Sequence, residues 1–201
     1  MLVIGLASAG VSAQHDGHAP QAAPSAHSSP LFTEVDLKFL QHMIVHHEQA
    51  LVMADLVPAR TERDEFIRFA SYVRRAQAAE IESMQALLDL AADRGVVDGS
   101  HNLHGDPPMA GMLSRAQVDA LAAATGVDFE RLWLEGMIYH HQGAIDMAEA
   151  QQRHQLQSGR QPYEISVLVE EILVEQQAEI TKMRAWLAKW SIDRRADPRA
   201  P

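Results

Sequence analysis

The chain predicts an all-α fold: an antiparallel four-helix bundle made of two duplicated helical hairpins. Three observations carry this expectation. Met43-Ile44-Val45-His46-His47, closing in Met53-Ala54, recurs as Met137-Ile138-Tyr139-His140-His141, closing in Met147-Ala148, with every matched pair 94 residues apart. A fainter echo relates Gln77-Ala78-Ala79-Glu80-Ile81-Glu82-Ser83-Met84 to Gln176-Gln177-Ala178-Glu179-Ile180-Thr181-Lys182-Met183 at an offset of 99. Each half is therefore a His/Met helix followed by a Gln/Glu/Met helix, and the unequal offsets fall in loops, where a duplicated hairpin tolerates insertion. Finally, the pattern after Pro30 is helical, without the period-two alternation of strands.

The elements follow in order. Residues 1–13 read as the remnant of an export signal: an apolar run from Leu2 to Val11, then the small-residue pattern Val11-Ser12-Ala13, without a basic n-region. About ten apolar residues cannot span a bilayer that requires roughly twenty. Residues 14–32, rich in His, Pro, Ala and Ser, read as a disordered leader. Its His15, His18 and His27 are loose metal-binding candidates or simply linker residues. The bundle is expected over 33–192. Thr33-Glu34-Val35-Asp36 is a capping box opening the first helix, and Pro58 closes it. Thr61-Glu62-Arg63-Asp64 reads as a second box, opening a helix that runs to Arg94. Residues 95–113 form a Gly/Pro/Met/His connection carrying His101, His104, Met109 and Met112; Ser114 caps a short helix ending at Ala124. The third long helix is expected over 128–157, ended by Ser158-Gly159. Pro162 opens the fourth, which runs to Ile192 and leaves 193–201 as a disordered tail.

Composition narrows the function. With 201 residues, 47% of them hydrophobic, one domain can bury a substantial core. A formal net charge of −10 leaves no basic stripe to neutralise phosphates, which argues against a nucleic-acid partner. The absence of cysteine removes disulfides, zinc-thiolate sites and thiol nucleophiles. The signal remnant points to a periplasmic or extracellular protein with no membrane span in its mature form.

Helical phasing places the candidate ligands. With Met43 as origin, Asp36, His47, Ala50 and Ala54 fall within about 40° of it, whereas His46 lies at about −60° and Met53 at about −80°. Met43 and His47, and by duplication Met137 and His141, thus belong to the buried face, with His46 and His140 at its edge. On the partner helices, Gln77, Glu80 and Met84 share one stripe at i, i+3 and i+7, as do Gln176, Glu179 and Met183. A buried polar row costs on the order of 1–3 kcal/mol per unsatisfied group, and metal coordination would satisfy it. The candidate ligands are His46, His47, His140, His141, Met43, Met137, Met84, Met183, Glu80 and Glu179. Imidazole with thioether suits Cu(I) or Ag(I); imidazole with carboxylate suits zinc, Cu(II) or iron. The competing expectation is methionine as core filler and His–Glu hydrogen bonds that close a polar core without an ion.

The blocks Phe39 to Ala54, Phe129 to Ala148 and Glu179 to Leu187 resemble the DUF305 family over roughly residues 33 to 190. The resemblance implies an exported, ferritin-like four-helix bundle, and it implies copper handling, since some members are implicated in periplasmic copper binding and tolerance. The first motif carries His42 where the second has Gly136. Pro107 to Met112 resembles the family's Met-rich connecting loop, here with two methionines.

Three functional classes follow. The leading one is a non-enzymatic exported copper-binding or copper-buffering protein, whose partners are the metal ion and a copper-handling protein. The second is a di-metal oxidase of ferritin-like type; against it, no Glu-x-x-His pair exists, since Glu135 is followed at i+3 by Ile138 and Glu149 by Gln152. The third is a metal-free structural or partner-binding bundle. No hydrolytic triad or phosphate-binding glycine loop rises above background.

Overall fold

The computed structural model describes residues 32–94 and 109–196, with side chains to 190. The signal remnant, most of the leader, His101, His104 and the last five residues lie outside them. Helices α1 (Glu34–Asp55), α2 (Asp64–Asp93), α3 (Arg115–Ala123), α4 (Gly126–Ser158) and α5 (Tyr163–Ala196) follow in order, with a 3-10 turn at Val57–Ala59. The four long helices pair as hairpins, α1 on α2 and α4 on α5. The hairpins join mainly through α1 against α4, while α2 and α5 meet only sparingly. The fold is the expected bundle of two duplicated hairpins, and no strand occurs among the described residues.

Small residues allow α1 and α4 to approach: Ala50, Ala54, Ala144 and Ala148 are all buried there. Two apolar clusters flank this seam. One holds Met53, Phe66, Phe69, Trp133, Met137, Met183 and Trp190; the other holds Phe32, Leu37, Leu40, Met43, Met84, Ile165 and Ile172.

The capping box at Thr33 is present: its hydroxyl accepts from Asp36 N, and Asp36 Oδ2 accepts from Thr33 N at 2.7 Å. Ser114 and Gln117 form the same device at the start of α3. Three expectations are corrected. Thr61 does not cap α2. Its hydroxyl donates to the buried Glu130 carboxylate, which Arg63 also grips at 3.0 Å, and Arg63 takes the N-cap position without a side-chain bond. The Thr61 hydroxyl still accepts from Arg63 N at 3.1 Å, but α2 starts two residues later than a box at Thr61 requires, so this bond lies ahead of the helix. Phe32, assigned by sequence to the leader, is fully buried in the second cluster, so the bundle begins one residue before its cap. Helix α5 continues to Ala196, four residues into the expected tail.

Candidate metal centre

The sequence places His46 and His47 on α1 and His140 and His141 on α4, and the structure brings all four together where the two helices cross. All four imidazoles have zero exposure. This corrects the edge position expected for His46 and His140. Phasing on an isolated helix registers only the stripe facing its hairpin partner, whereas α1 and α4 also bury the adjoining stripe against each other. The His46 and His140 rings lie 3.8 Å apart, centroid to centroid, with His47 and His141 at 6.2 and 6.1 Å from their chain neighbours.

Each ring is held by the same nitrogen. His46 Nε2 donates to Ala110 O at 3.0 Å, and His140 Nε2 donates to the backbone oxygen of His46 at 2.9 Å. His47 Nε2 shares a hydrogen bond with Glu80 Oε2 at 2.8 Å, and His141 Nε2 shares one with Glu179 Oε2 at 2.5 Å. Gln77 Nε2 reaches Glu80 Oε2 at 3.4 Å. All four Nδ1 atoms are buried without a partner, as are Glu80 Oε1, Glu179 Oε1, Gln77 Oε1 and both polar atoms of the Gln176 amide. A ring that donates through Nε2 to a carbonyl and is neutral carries a bare lone pair on Nδ1.

Neutrality follows from burial. Desolvation, then the neighbouring His47 charge, lowers His46 to about 3; desolvation, then His141, lowers His47 to about 3. His140 is pushed down by burial and then by His46. Burial, reinforced by Glu179, raises Glu80 to about 8, so its carboxyl holds a proton at neutral pH. The centre is thus a buried polar hub in which His46, His47 and His140 are neutral and Glu80 is protonated, rich in unsatisfied atoms.

The thioethers are all fully buried but separated. Met43 and Met84 pack in the Phe32 cluster, Met137 and Met183 in the Trp133 cluster. Each lies one helical turn from a hub residue at i±4, on opposite sides of it. No group of three or more His or acidic side chains among the described residues is already arranged to hold a metal ion.

One component was missed by sequence reasoning: a strap, residues 109–113, lying across the His46/His140 side of the hub. Gln49 clamps it by both amide atoms, accepting from Leu113 N at 2.7 Å and donating to Leu113 O at 2.9 Å. The strap approaches α4 backbone to backbone. A Cβ at Gly143 would sit 2.1 Å from Ala110 O, and one at Gly111, whose φ is +79°, would sit 2.7 Å from His140 O. Gly136 leaves room for Leu113 of the strap and for Met53. This explains the departure between the motifs: His42, its counterpart, instead lines an outer α1–α4 groove with Val35, Phe39, Met147 and Gln151. The sequence placed Met109 and Met112 in the connection and likened it to the family's connecting loop, but its docking over the hub rests on the close approach at Gly111 and Gly143, which no local pattern records.

Among known proteins, the family described as "Domain of unknown function (DUF305)" matches residues 36–187. A DUF305 fragment from Deinococcus radiodurans is 29% identical, with a TM-score of 0.64 over 78% of this chain and 97% of that one. A DUF305 protein from Streptomyces coelicolor, named as a candidate secreted protein, is 30% identical, with a TM-score of 0.63 over 77% and 91%. CopM in its Cu(II)-bound form is 30% identical, with a TM-score of 0.61 over 77% and 97%; CopM is also solved in Cu(I)-bound, Ag-bound and apo forms. Comparison with curated proteins finds no match. The chain belongs to the DUF305 family.

Proposed function

We propose that the protein is an exported, non-enzymatic copper-binding protein that takes up the ion at the His/Glu hub. The observation that carries this reading is the common state of the four imidazoles, each tied through Nε2 with Nδ1 buried and unpartnered. Metal-ligating histidines present one nitrogen to the ion and tie the other to a carbonyl or carboxylate, the pattern found here four times. His46, His47, His140 and His141 would supply Nδ1 donors, and Glu80 and Glu179 would orient the outer pair or ligate through Oε1. Met43, Met84, Met137 and Met183 would supply soft donors on either side, which favours Cu(I) over zinc or iron. Likeness to CopM, bound to copper and silver, supports the same choice. Export is supported by the signal-like segment and by the likeness to the Streptomyces coelicolor protein. No helix among the described residues is long and apolar enough to cross a membrane.

A metal-free bundle with a closed polar core predicts satisfied hub atoms, and the orphaned Nδ1 set weighs against it. The test is competition for Cu(I) between the untagged chain and a chromophoric chelator, repeated with His47→Ala/His141→Ala. Stoichiometric withdrawal of copper by the unaltered chain, lost in the double variant, is expected. Failure to compete, or unchanged binding by the variant, overturns the reading.

A further inference from the structure

The metal-binding reading raises the question of how an ion reaches a hub whose four imidazoles are sealed. On the α1–α4 side, the strap closes over His46 and His140 with backbone-to-backbone contact at Gly111 and Gly143. The other side differs. The four imidazoles are 0% exposed, but Glu80 on α2 and Glu179 on α5 keep 8% and 5%. The residual exposure of the hub is therefore on its carboxylate side, where α2 and α5 meet only sparingly. From Glu179 a ladder runs out along α5 at i−4 and i−8 to Glu175 and Glu171, both exposed. Tyr72, 47% exposed, stands on α2 within the field of Glu175, Glu179 and Glu80.

Neither Glu171 nor Glu175 enters an ion pair among the described residues, in contrast with Glu135, Glu149 and Asp119, which pair with arginines on their own helices. Partial burial and then Glu80, Glu179 and Glu171 push the Glu175 carboxyl upward, which places it within electrostatic reach of the two hub carboxyls. Lys182 bounds the face at the other end, its Nζ 4.6 Å from the Phe69 ring centroid, so the acidic ladder opens away from it. The second requirement of an entry site, an unfilled acceptor behind it, is met by Glu80 Oε1 and Glu179 Oε1, both buried and unpartnered.

We propose that the cation enters and leaves through the α2–α5 seam, with Glu171 and Glu175 as the surface station that captures it before Glu179 and Glu80 pass it to the imidazoles. Unpaired charges beside a low-dielectric site raise the local cation concentration and the association rate. They contribute little to the final complex, whose donors lie deeper. Rate and affinity therefore separate.

The test is stopped-flow transfer of Cu(I) from a chromophoric chelator to the full chain, in the concentration range where transfer is second order. Glu171→Gln/Glu175→Gln should slow uptake at least about fivefold and flatten its dependence on ionic strength, with equilibrium affinity within about twofold of the unaltered chain. Glu135→Gln/Glu149→Gln, an equal charge change on α4, should leave the rate unchanged. Uptake at the original rate by the seam variant, or equal slowing by the α4 variant, overturns the proposal. No uptake by the unaltered chain overturns the metal reading itself, and the entry route with it.

Discussion

Replacing Gly143 by alanine tests whether the strap is held as described. The new Cβ would lie 2.1 Å from Ala110 O and 2.3 Å from Ala110 C, both backbone atoms that no rotamer change can move aside. Reaching ordinary van der Waals contact requires the strap to retreat by more than about 1 Å. At that displacement the His46 Nε2 to Ala110 O bond and the two Gln49–Leu113 bonds are lost, each contributing about 1 kcal/mol net. Partial release of Leu113, 8% exposed, adds about 1–3 kcal/mol. The expected destabilisation is about 4–6 kcal/mol, or a fall in Tm of roughly 10–20 °C for a chain of this size. Gly126→Ala is the control. It has a positive φ of +58° but nothing within 4 Å of its Cβ, so it carries only the conformational cost of about 1–2 kcal/mol. Urea unfolding of both variants, with hydrogen exchange at the Leu113 amide, reads the difference. A Gly143→Ala protein no less stable than Gly126→Ala, with the Leu113 amide still protected, would refute the docking of the strap.

Stability of the metal-free protein should fall on both sides of neutrality. Glu80 is raised from 4.5 to about 8, so between those values the folded state holds a proton that the unfolded chain releases; the stability this gives is fully present below 4.5, falls as pH rises from 4.5 and is gone once pH has passed 8, on the order of 5 kcal/mol in total. Glu80→Gln should remove most of the decline between pH 6.5 and 8 in urea midpoints. His46 and His47, lowered to about 3, act oppositely: their contribution is present above 6.5 and lost as pH falls toward 3, and urea midpoints at pH 6.5 and 4 should show the drop. Trp133→Phe should cost about 1–3 kcal/mol by thermal unfolding, because the indole donates at 3.0 Å to Met53 O, one of the last carbonyls of α1, which would be left unpaired. Glu130→Ala should cost about 1–3 kcal/mol in the same assay, since it leaves the buried Thr61 hydroxyl without its acceptor, while Arg63, 41% exposed, is solvated.

The duplication made the bundle legible. A constant 94-residue offset fixed which residues correspond, and the i, i+3, i+7 stripes of Gln, Glu and Met identified the partner helices and drew Glu80 and Glu179 into the candidate set beside the histidines. What escaped the sequence depends on long-range packing. His46 and His140 fell at the edge of a helical wheel because a wheel contains one helix, whereas their burial is set by a second helix and by the strap. Thr61 carried the letters of a capping box, but its hydroxyl is anchored on Glu130, 69 residues away, and α2 starts two residues later than that box requires. The methionines were read as a set with the histidines because they share a stripe. Packing distributes them to two apolar clusters, one at each side of the hub.

The distribution of aromatic residues has a consequence for how this protein is observed. Its three tryptophans, Trp133, Trp186 and Trp190, all belong to one cluster with Phe66 and Phe69, the rings of Trp186 and Trp190 stacked at 6.1 Å. The opposite cluster, around Phe32, Met43 and Met84, contains none. Intrinsic fluorescence therefore looks at one end of the molecule. An emission change on adding an ion reports events beside Met137 and Met183, while the Met43 and Met84 side is optically silent. A tryptophan placed at Phe39 or Leu88 would give that side its own signal, and with it a means of telling which end of the hub responds first.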